Sequence, residues 1–430
     1  MRRMFYYITL KNISPVHIGT GDGEYTDMDV LKDGDGNVFI PGTAFAGSIL
    51  HYLSEEERRI VIPERELKNE KQEKTIIKLQ SPIYFSDAEL DRNAEENKVV
   101  NIESRDGIKL NENKTTEKMG KYDYQIIPEG HIFNWRIEVC DREEHTEETK
   151  SIQLENIVEK AIVGLDDNNI RIGFKTTRGL GKFKILEVRR AIFNRKNFIN
   201  YVSFDPFNKE GYSVVENKDL NHCDKKSVTI DIYLEQNGGL SIRTYNTKKG
   251  AADFEHIHSN GKPIIPGTSW NGLLRSCLKT YVNELHFSKT EIDIDEIFGY
   301  ADNTKKKKSL VYVDESIIEG GEDITMTRNR INPFTASTVT GALFKETTHY
   351  NGKSVLRISI SEKIVEDKDL YNRLLGLIKI FVNDLNNGFI ALGGQTSIGR
   401  GLFKVNKVEV NEVEDTSFIV KTLKVDGGKL

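Results

Sequence analysis

The chain has 430 residues, with 66 acidic against 61 basic side chains, a net charge of -5, and 37% apolar and 30% charged residues. That length exceeds what one ordinary core fills and predicts two domains, while the near balance of charge excludes a globally basic chain, so any phosphate-facing charge is local. Cys140, Cys223 and Cys277 show no C-x-x-C spacing, which argues against a disulfide framework or a cysteine zinc site and fits a reducing cytoplasm.

The opening "MRRMFYYITLKNISP" holds only the run Phe5 to Leu10 before a lysine, too short for a signal segment or a membrane span, so neither export nor a membrane is expected. "FYYITLKNI" alternates as a strand with one buried face does. His17, in "PVHIG", is read as structural rather than catalytic. A polar loop carrying Asp27 follows. The "DGDGN" run from Asp33 imitates the start of a calcium loop but has Val38 and Ala44 where glycine and glutamate are needed, so a hairpin turn is expected. "VFIPGTAFAGSIL" then predicts a Pro-Gly-Thr turn and a helix over about residues 44–57, capped by Thr43. "SPIYFSDAEL" reads as a strand entering an acidic bend. Residues 100–130 read as a protruding polar hairpin, 151–165 as a helix, and "IRIGFKTTRGLGKFKI" as glycine-rich strands. The polar segment 204–226 is the expected linker.

The same landmarks then return. "SVTIDIYLE" from Ser227, Asp253 in a polar loop, "PIIPGTSWNGLLR", "SLVYVDESII", a polar stretch from Met326, a helix over 367–385 and "IALGGQTSIGRGLFKV" repeat the order of the first half. The two Pro-Gly-Thr turns lie 225 residues apart and Gly173 and Gly393 lie 220 apart. Gly47 and Gly272 both stand four residues after the turn threonine. Self-similarity of this kind makes each half one structural unit. Strand, helix, strand, hairpin, helix, strand predicts an α+β fold, two tandem ferredoxin-like units over 1–203 and 227–412 with a tail at 413–430.

The ordered set "HIGTGDGEYTDMDVLKDGDGNVFIPGTAFAGSIL", "IRTYNTKKGAADFEHIHSNGKPIIPGTSWNGLLR", "RNRINPFTASTVTGALF" and the two glycine loops resembles the RAMP superfamily of CRISPR-associated RNA-binding proteins. It is closest in pattern to the backbone subunits of type III effector complexes, here with two domains fused. The resemblance implies RRM-like domains, each with a thumb hairpin that wedges between guide and target strands. It places Asp27, in "DMDVLKD", at a position that supports cleavage of target RNA, and Asp253, in "DFEHIHS", at its counterpart. It also implies guide (CRISPR) RNA, complementary target RNA and other effector subunits, including the large signalling subunit and small subunits, as partners in the cytoplasm.

A carboxylate can take the proton of an attacking 2'-hydroxyl or hold Mg2+, or another divalent cation, on the phosphate, which makes Asp27 and Asp253 the catalytic and metal candidates. The alternative for each is a solvated loop aspartate. Gly173, Lys175, Arg178, Gly179, Gly181 and Lys182, with Gly393, Gly394, Gly399, Arg400, Gly401 and Lys404, offer backbone N–H groups and cations to phosphates without base preference. Ser48, Asn271 and Arg275 near the helix starts are further RNA candidates. Arg105, Lys109, Lys114, Arg328, Arg330 and Thr338 are assigned to the thumbs. A scaffold or capping subunit that binds guide without cutting stays open, as does a guide-precursor endonuclease, which would need a histidine or lysine site.

Overall fold

A computed structural model describes residues 2–21, 23–68, 74–110, 115–140, 148–216, 220, 227–245, 251–301 and 305–418. Lys114, Cys223, residues 217–219 and 221–226 of the expected linker, and the tail beyond 418 lie outside the described residues. The chain divides into two compact units: Met1–Ser104 with Tyr122–Thr176 and Leu180–Asp224, and Lys225–Leu430 with Arg105–Lys121 and Thr177–Gly179. Two short segments that precede residue 203 thus pack in the second unit.

In chain order the first half contributes β1 (Arg3–Asn12), α1 (Gly42–Tyr52), β2 (Ile83–Phe85), the hairpin strands β3 (Glu103–Leu110) and β4 (Thr116–Ile126), β5 (Ile132–Cys140), α2 (Glu148–Asp166) and β6 (Phe183–Phe193). The main sheet of the first unit runs β6, β1, β5, β2, with every pair antiparallel. That order, reached through strand–helix–strand, strand–helix–strand, is the split βαβ arrangement. Met4, Tyr6, Ile8 and Leu10 of β1 are fully buried toward the helices, where Phe45 of α1 stacks on Trp135 with ring centroids 4.1 Å apart. Burying each such side chain contributes about 1.5–3 kcal/mol. The other face of β1 is covered too, because Phe5 packs with Phe193, Tyr201 and Phe204, and Tyr7 meets Tyr212. Part of the expected polar linker is therefore an aromatic cover.

The second half contributes β7 (Val228–Gln236), α3 (Gly267–Glu284), β8 (Val311–Val313), β9 (Glu322–Arg328), β10 (Phe344–Tyr350), β11 (Lys353–Ile360), α4 (Lys368–Asn387) and β12 (Phe403–Val410). Its main sheet runs β8, β11, β7, β12, again antiparallel throughout. Trp270 of α3 is fully buried against Phe403 and donates its Nε1–H to Ser316 Oγ at 3.0 Å. The opposite face of this sheet is polar, with Arg357 bidentate on Asp231 at 2.7 Å and the Tyr233 hydroxyl on Glu409 at 2.7 Å. Both first strands slip register against the last strand at one place, between Thr9 and Leu10 and between Tyr233 and Leu234. A repeated bulge is a structural counterpart of the sequence repeat.

Three local expectations are corrected. The single helix over 44–57 breaks: α1 ends at Tyr52, and Ser54 with Glu57 forms a capping box that starts a separate helix, Glu55–Val61. Neither Thr43 nor Thr268, its counterpart in the second turn, caps its helix, because each helix begins one residue before that threonine, behind an extended Pro41 or Pro266. In α1 the cap comes from across the fold, where Asp87 Oδ1 accepts the Gly42 N–H at 2.7 Å. The glycine segments are loops, with β6 and β12 starting only at Phe183 and Phe403.

Candidate nucleic-acid interface

The two glycine loops take the same path. Gly173, Gly179 and Gly181 have φ of 97°, 95° and 79°, and Gly393, Gly399 and Gly401 have 89°, 84° and 76°. Between them Lys175 and Gln395 occupy the left-handed region at φ 54° and 60°, followed by 3-10 turns at Thr176–Arg178 and Thr396–Ile398. A Cβ at Gly181 would collide with the Ile172 carbonyl, and one at Gly401 with the Leu392 carbonyl. These positions require glycine for close backbone approach as well as for φ.

In the first unit the aspartate loop is pinned to β4. Asp27 donates its N–H to Asp123 Oδ1 at 2.8 Å and its Oδ2 accepts the Asp123 N–H at 3.0 Å. Met28, the next residue, bridges Tyr124 in parallel. Lys175 lies over the Tyr124 ring at 3.6 Å and near Tyr122 at 4.7 Å, so the glycine loop brings a cation to the strand that carries Asp123. Leu180, Tyr124 and Ile126 form the small core beneath. His17 is buried and shares a 2.6 Å hydrogen bond with the Gln125 carbonyl, which as an acceptor fixes the Nδ1–H tautomer. Burial lowers its pKa, the carbonyl bond opposes the shift, and Lys175 reinforces it. The loop before Asp27 is organised by Asp29, whose carboxylate accepts N–H groups from Glu24, Tyr25 and Thr26 and the Thr26 hydroxyl. Burial alone would raise its pKa, but these four bonds hold it below the ordinary value.

The second unit repeats the construction with different chemistry. Asp253 donates its N–H to the Lys345 carbonyl at 3.0 Å, and its Oδ2 accepts the Lys345 N–H at 2.8 Å. Phe254, the next residue, pairs in parallel with Glu346. Where the first site has Tyr124 and Leu180, this one has Glu346 and Arg400, both buried and 2.8 Å apart. Glu346 also receives Gln395 at 2.8 Å and Ser241 at 3.1 Å, with Arg243 at 3.5 Å. Burial raises the Glu346 pKa, yet these partners bring it below the ordinary value. His256 is a core residue that accepts the Ile242 N–H at 3.3 Å, and His258 pairs with Asp323 at 2.9 Å.

The structure thus brings Asp27, Lys175, Gly173 and Gly181 to one place, and Asp253, Gly393, Gly394 and Gly401 to another. Both aspartates are exposed, as are Lys404, Lys109, Arg330 and Thr338; Arg328, Lys182 and Ser48 are half-buried. Lys109 is paired with Glu117 at 2.8 Å. Six of the expected residues are buried or held by partners within the chain. Arg400 is spent on Glu346 and Thr348, and Arg105 is buried in a bidentate pair with Glu315 at 2.5 and 3.1 Å. Arg275 is held by Asp295 at 2.5 Å, and Asn271 is buried. Arg178 and Gly179 pack in the second unit against Gly267, Asp314 and Glu315. Sequence reasoning missed Asp123, Asp29, Lys345 and Glu346. Aligning "KYDYQ" with "LFKET" would have paired Asp123 with Lys345, but the unlike residues gave no motif to follow.

A description of the RAMP superfamily matches residues 9–184 and 249–404. The chain belongs to the RAMP superfamily. Each matched region of this RAMP protein holds one loop aspartate, one Pro-Gly-Thr turn and one glycine loop. No curated protein matches it. A similar solved structure is described as a cryo-EM structure of the Type III-B Cmr-beta bound to cognate target RNA, at 15% identity and a TM-score of 0.31, covering 43% of this chain and 60% of that one. The RAMP protein therefore spans less than two thirds of that relative's chain. Among the described residues no helix is long and apolar enough to cross a membrane, and no group of three or more His, Cys, Asp or Glu is placed to hold a metal.

Proposed function

We propose that this RAMP protein is a double-domain backbone subunit of a type III CRISPR ribonucleoprotein that binds guide RNA and cleaves paired target RNA. The observation that carries the reading is the duplicated site, an exposed aspartate latched to a hairpin strand beside a glycine loop in each half. The latch uses one carboxylate oxygen of an exposed side chain, and the other oxygen would take a ribose hydroxyl or a phosphate-bound cation. Base pairing with the guide would supply sequence choice, so the protein reads backbone shape.

The two sites suit a divalent cation unequally. Asp27 and Asp123 offer two hard carboxylates in the first half, the number Mg2+ commonly takes from protein when phosphates complete its shell. When bound, such an ion would offset charge on the scissile phosphate. Asp27 would orient and deprotonate the 2'-hydroxyl, and Lys175 would draw the phosphate toward it. In the second half Lys345 stands where Asp123 does, so Asp253 fits a cation poorly. That observation favours a second reading for this half alone, guide binding without cutting.

The test is target cleavage by the guide-loaded complex with Mg2+, mapping cuts for wild type, Asp27→Asn, Asp253→Asn and the double change. Asparagine keeps an oxygen for the latch, so assembly should survive. The expected result is loss of one cut with Asp27→Asn and no lost cut with Asp253→Asn. Unchanged cutting in the double variant, with assembly intact, would make the protein a scaffold.

A further inference from the structure

The loop that presents Asp27 is wound on a buried carboxylate. Asp29 accepts the N–H groups of Glu24, Tyr25 and Thr26 and the Thr26 hydroxyl at 2.6–3.0 Å. The base of the loop is closed where Gly19 bridges Val30 and the Thr20 N–H reaches the Asp29 carbonyl at 3.2 Å. The turn above the carboxylate is tight, since a Cβ on Gly23 would collide with the Thr26 carbonyl. Hydrogen bonds to an ionised acceptor are the strong kind, and four of them over three residues fix the backbone there.

Tyr25 stands in this turn with its N–H spent on Asp29 and its side chain in water, 80% exposed. A large ring on a fixed backbone, left unburied, is suited to a flat partner that arrives from outside. Two residues separate it from the exposed Asp27, which keeps their Cα atoms within about 7 Å of each other. One nucleotide can therefore touch both. The second half has no such device: Ala251 and Ala252 stand where Tyr25 and Thr26 do, and Glu255, the counterpart of Asp29, lies in the extended strand Phe254–His256, paired with Thr244.

We infer that Tyr25 stacks on a base of the target strand beside the first-half cut and so holds the nucleotide whose 2'-hydroxyl faces Asp27, with Asp29 as the positioning residue that winds the turn beneath it. The inference rests on the cleavage reading of the first half and deepens it. Every base has a π-face, so the contact favours no sequence and leaves that choice to pairing with the guide. Its contribution is orientation. The 2'-oxygen has to lie in line with the P–O5' bond that breaks, and a base pinned on a ring restrains the ribose attached to it. The alanines of the second half agree with guide binding without cutting there.

Single-turnover cleavage by the guide-loaded complex with Mg2+ tests it, on intact target and on target with one abasic nucleotide on either side of the first-half cut. Tyr25→Ala is expected to slow cutting of the intact target about tenfold, the scale of one lost stack, and Tyr25→Phe, which keeps the ring, to recover most of that rate. At one of the two positions the abasic target should be slowed by a similar factor in the wild type and no further by Tyr25→Ala, since both changes remove the same contact. Asp29→Ala should reproduce the slowing and also erase the abasic effect, which a loop needed only for folding would not do. A second readout needs no cutting: 2-aminopurine at that position, in complexes carrying Asp27→Asn, should be quenched with Tyr25 present and brighten with Tyr25→Ala. A wild-type rate in Tyr25→Ala, equal slowing of intact and abasic targets, or fluorescence indifferent to the change overturns the inference. Cutting that survives Asp27→Asn defeats the cleavage reading instead, while the fluorescence still reports on the stack, so the two fail separately.

Discussion

His256 stands in the second half where Val30 stands in the first, three residues after the loop aspartate, and burial decides its chemistry. Its pKa is pushed down to about 3, chiefly by desolvation and then by the charges of His349 and His258. An unfolded histidine titrates near 6.5, so between about pH 3 and 6.5 the unfolded chain holds a proton that the folded chain refuses. Stability therefore rises with pH across that window and is lost as pH falls below 6.5, by about 1.4 kcal/mol per pH unit, or about 2 kcal/mol by pH 5. Urea unfolding at pH 7.5 and 5.0 should show that loss, and His256→Gln should remove most of it; an unaltered pH difference would refute the assignment. The aspartates themselves were legible at this scale because their spacing to the Pro-Gly-Thr turn repeats. Asp123 and Lys345 were not, since each earns its place by facing an aspartate 96 or 92 residues away in sequence.

At the scale of elements, the glycines that the sequence offers as one class separate into two. Gly47 and Gly272 lie in α1 and α3 with nothing within 4 Å of an added Cβ and no positive φ. Alanine at either should stabilise the chain by about 0.5–1 kcal/mol, the usual gain for an exposed helix interior, read from the denaturation midpoint. Gly181 and Gly401 combine positive φ with a carbonyl in the way. Alanine there should cost about 1–3 kcal/mol from strain alone and more from the displaced loop. Equal effects at the four positions would show that the loops are not held as described. The helices, the sheet strands and the hairpins were readable from periodicity and turn residues. The break at Ser54 was not, because a capping box inside a helical pattern looks like ordinary helix composition, and the aromatic cover over β1 was hidden in a segment whose average is polar.

Across the whole molecule, one architecture is filled in two ways. The first unit closes its glycine loop over Tyr124, Ile126 and Leu180, whereas the second closes it over Glu346, Thr348 and Arg400. Backbone dihedrals, bulge and aspartate latch survive this exchange, so the fold does not depend on the ionic version. Removing one member of a buried pair leaves an uncompensated charge, which typically costs about 3–5 kcal/mol, while replacing both with apolar residues of similar volume is often neutral or better. Arg400→Leu alone should therefore be severely destabilising. Glu346→Tyr with Arg400→Leu, which installs the first unit's solution, should recover most of that loss, although Gln395, Ser241 and Arg243 lose an acceptor. A double-mutant cycle by chemical denaturation measures the coupling directly. Strict additivity would mean that the two interiors are not interchangeable and that the second half holds its ion pair for a purpose other than closing the loop.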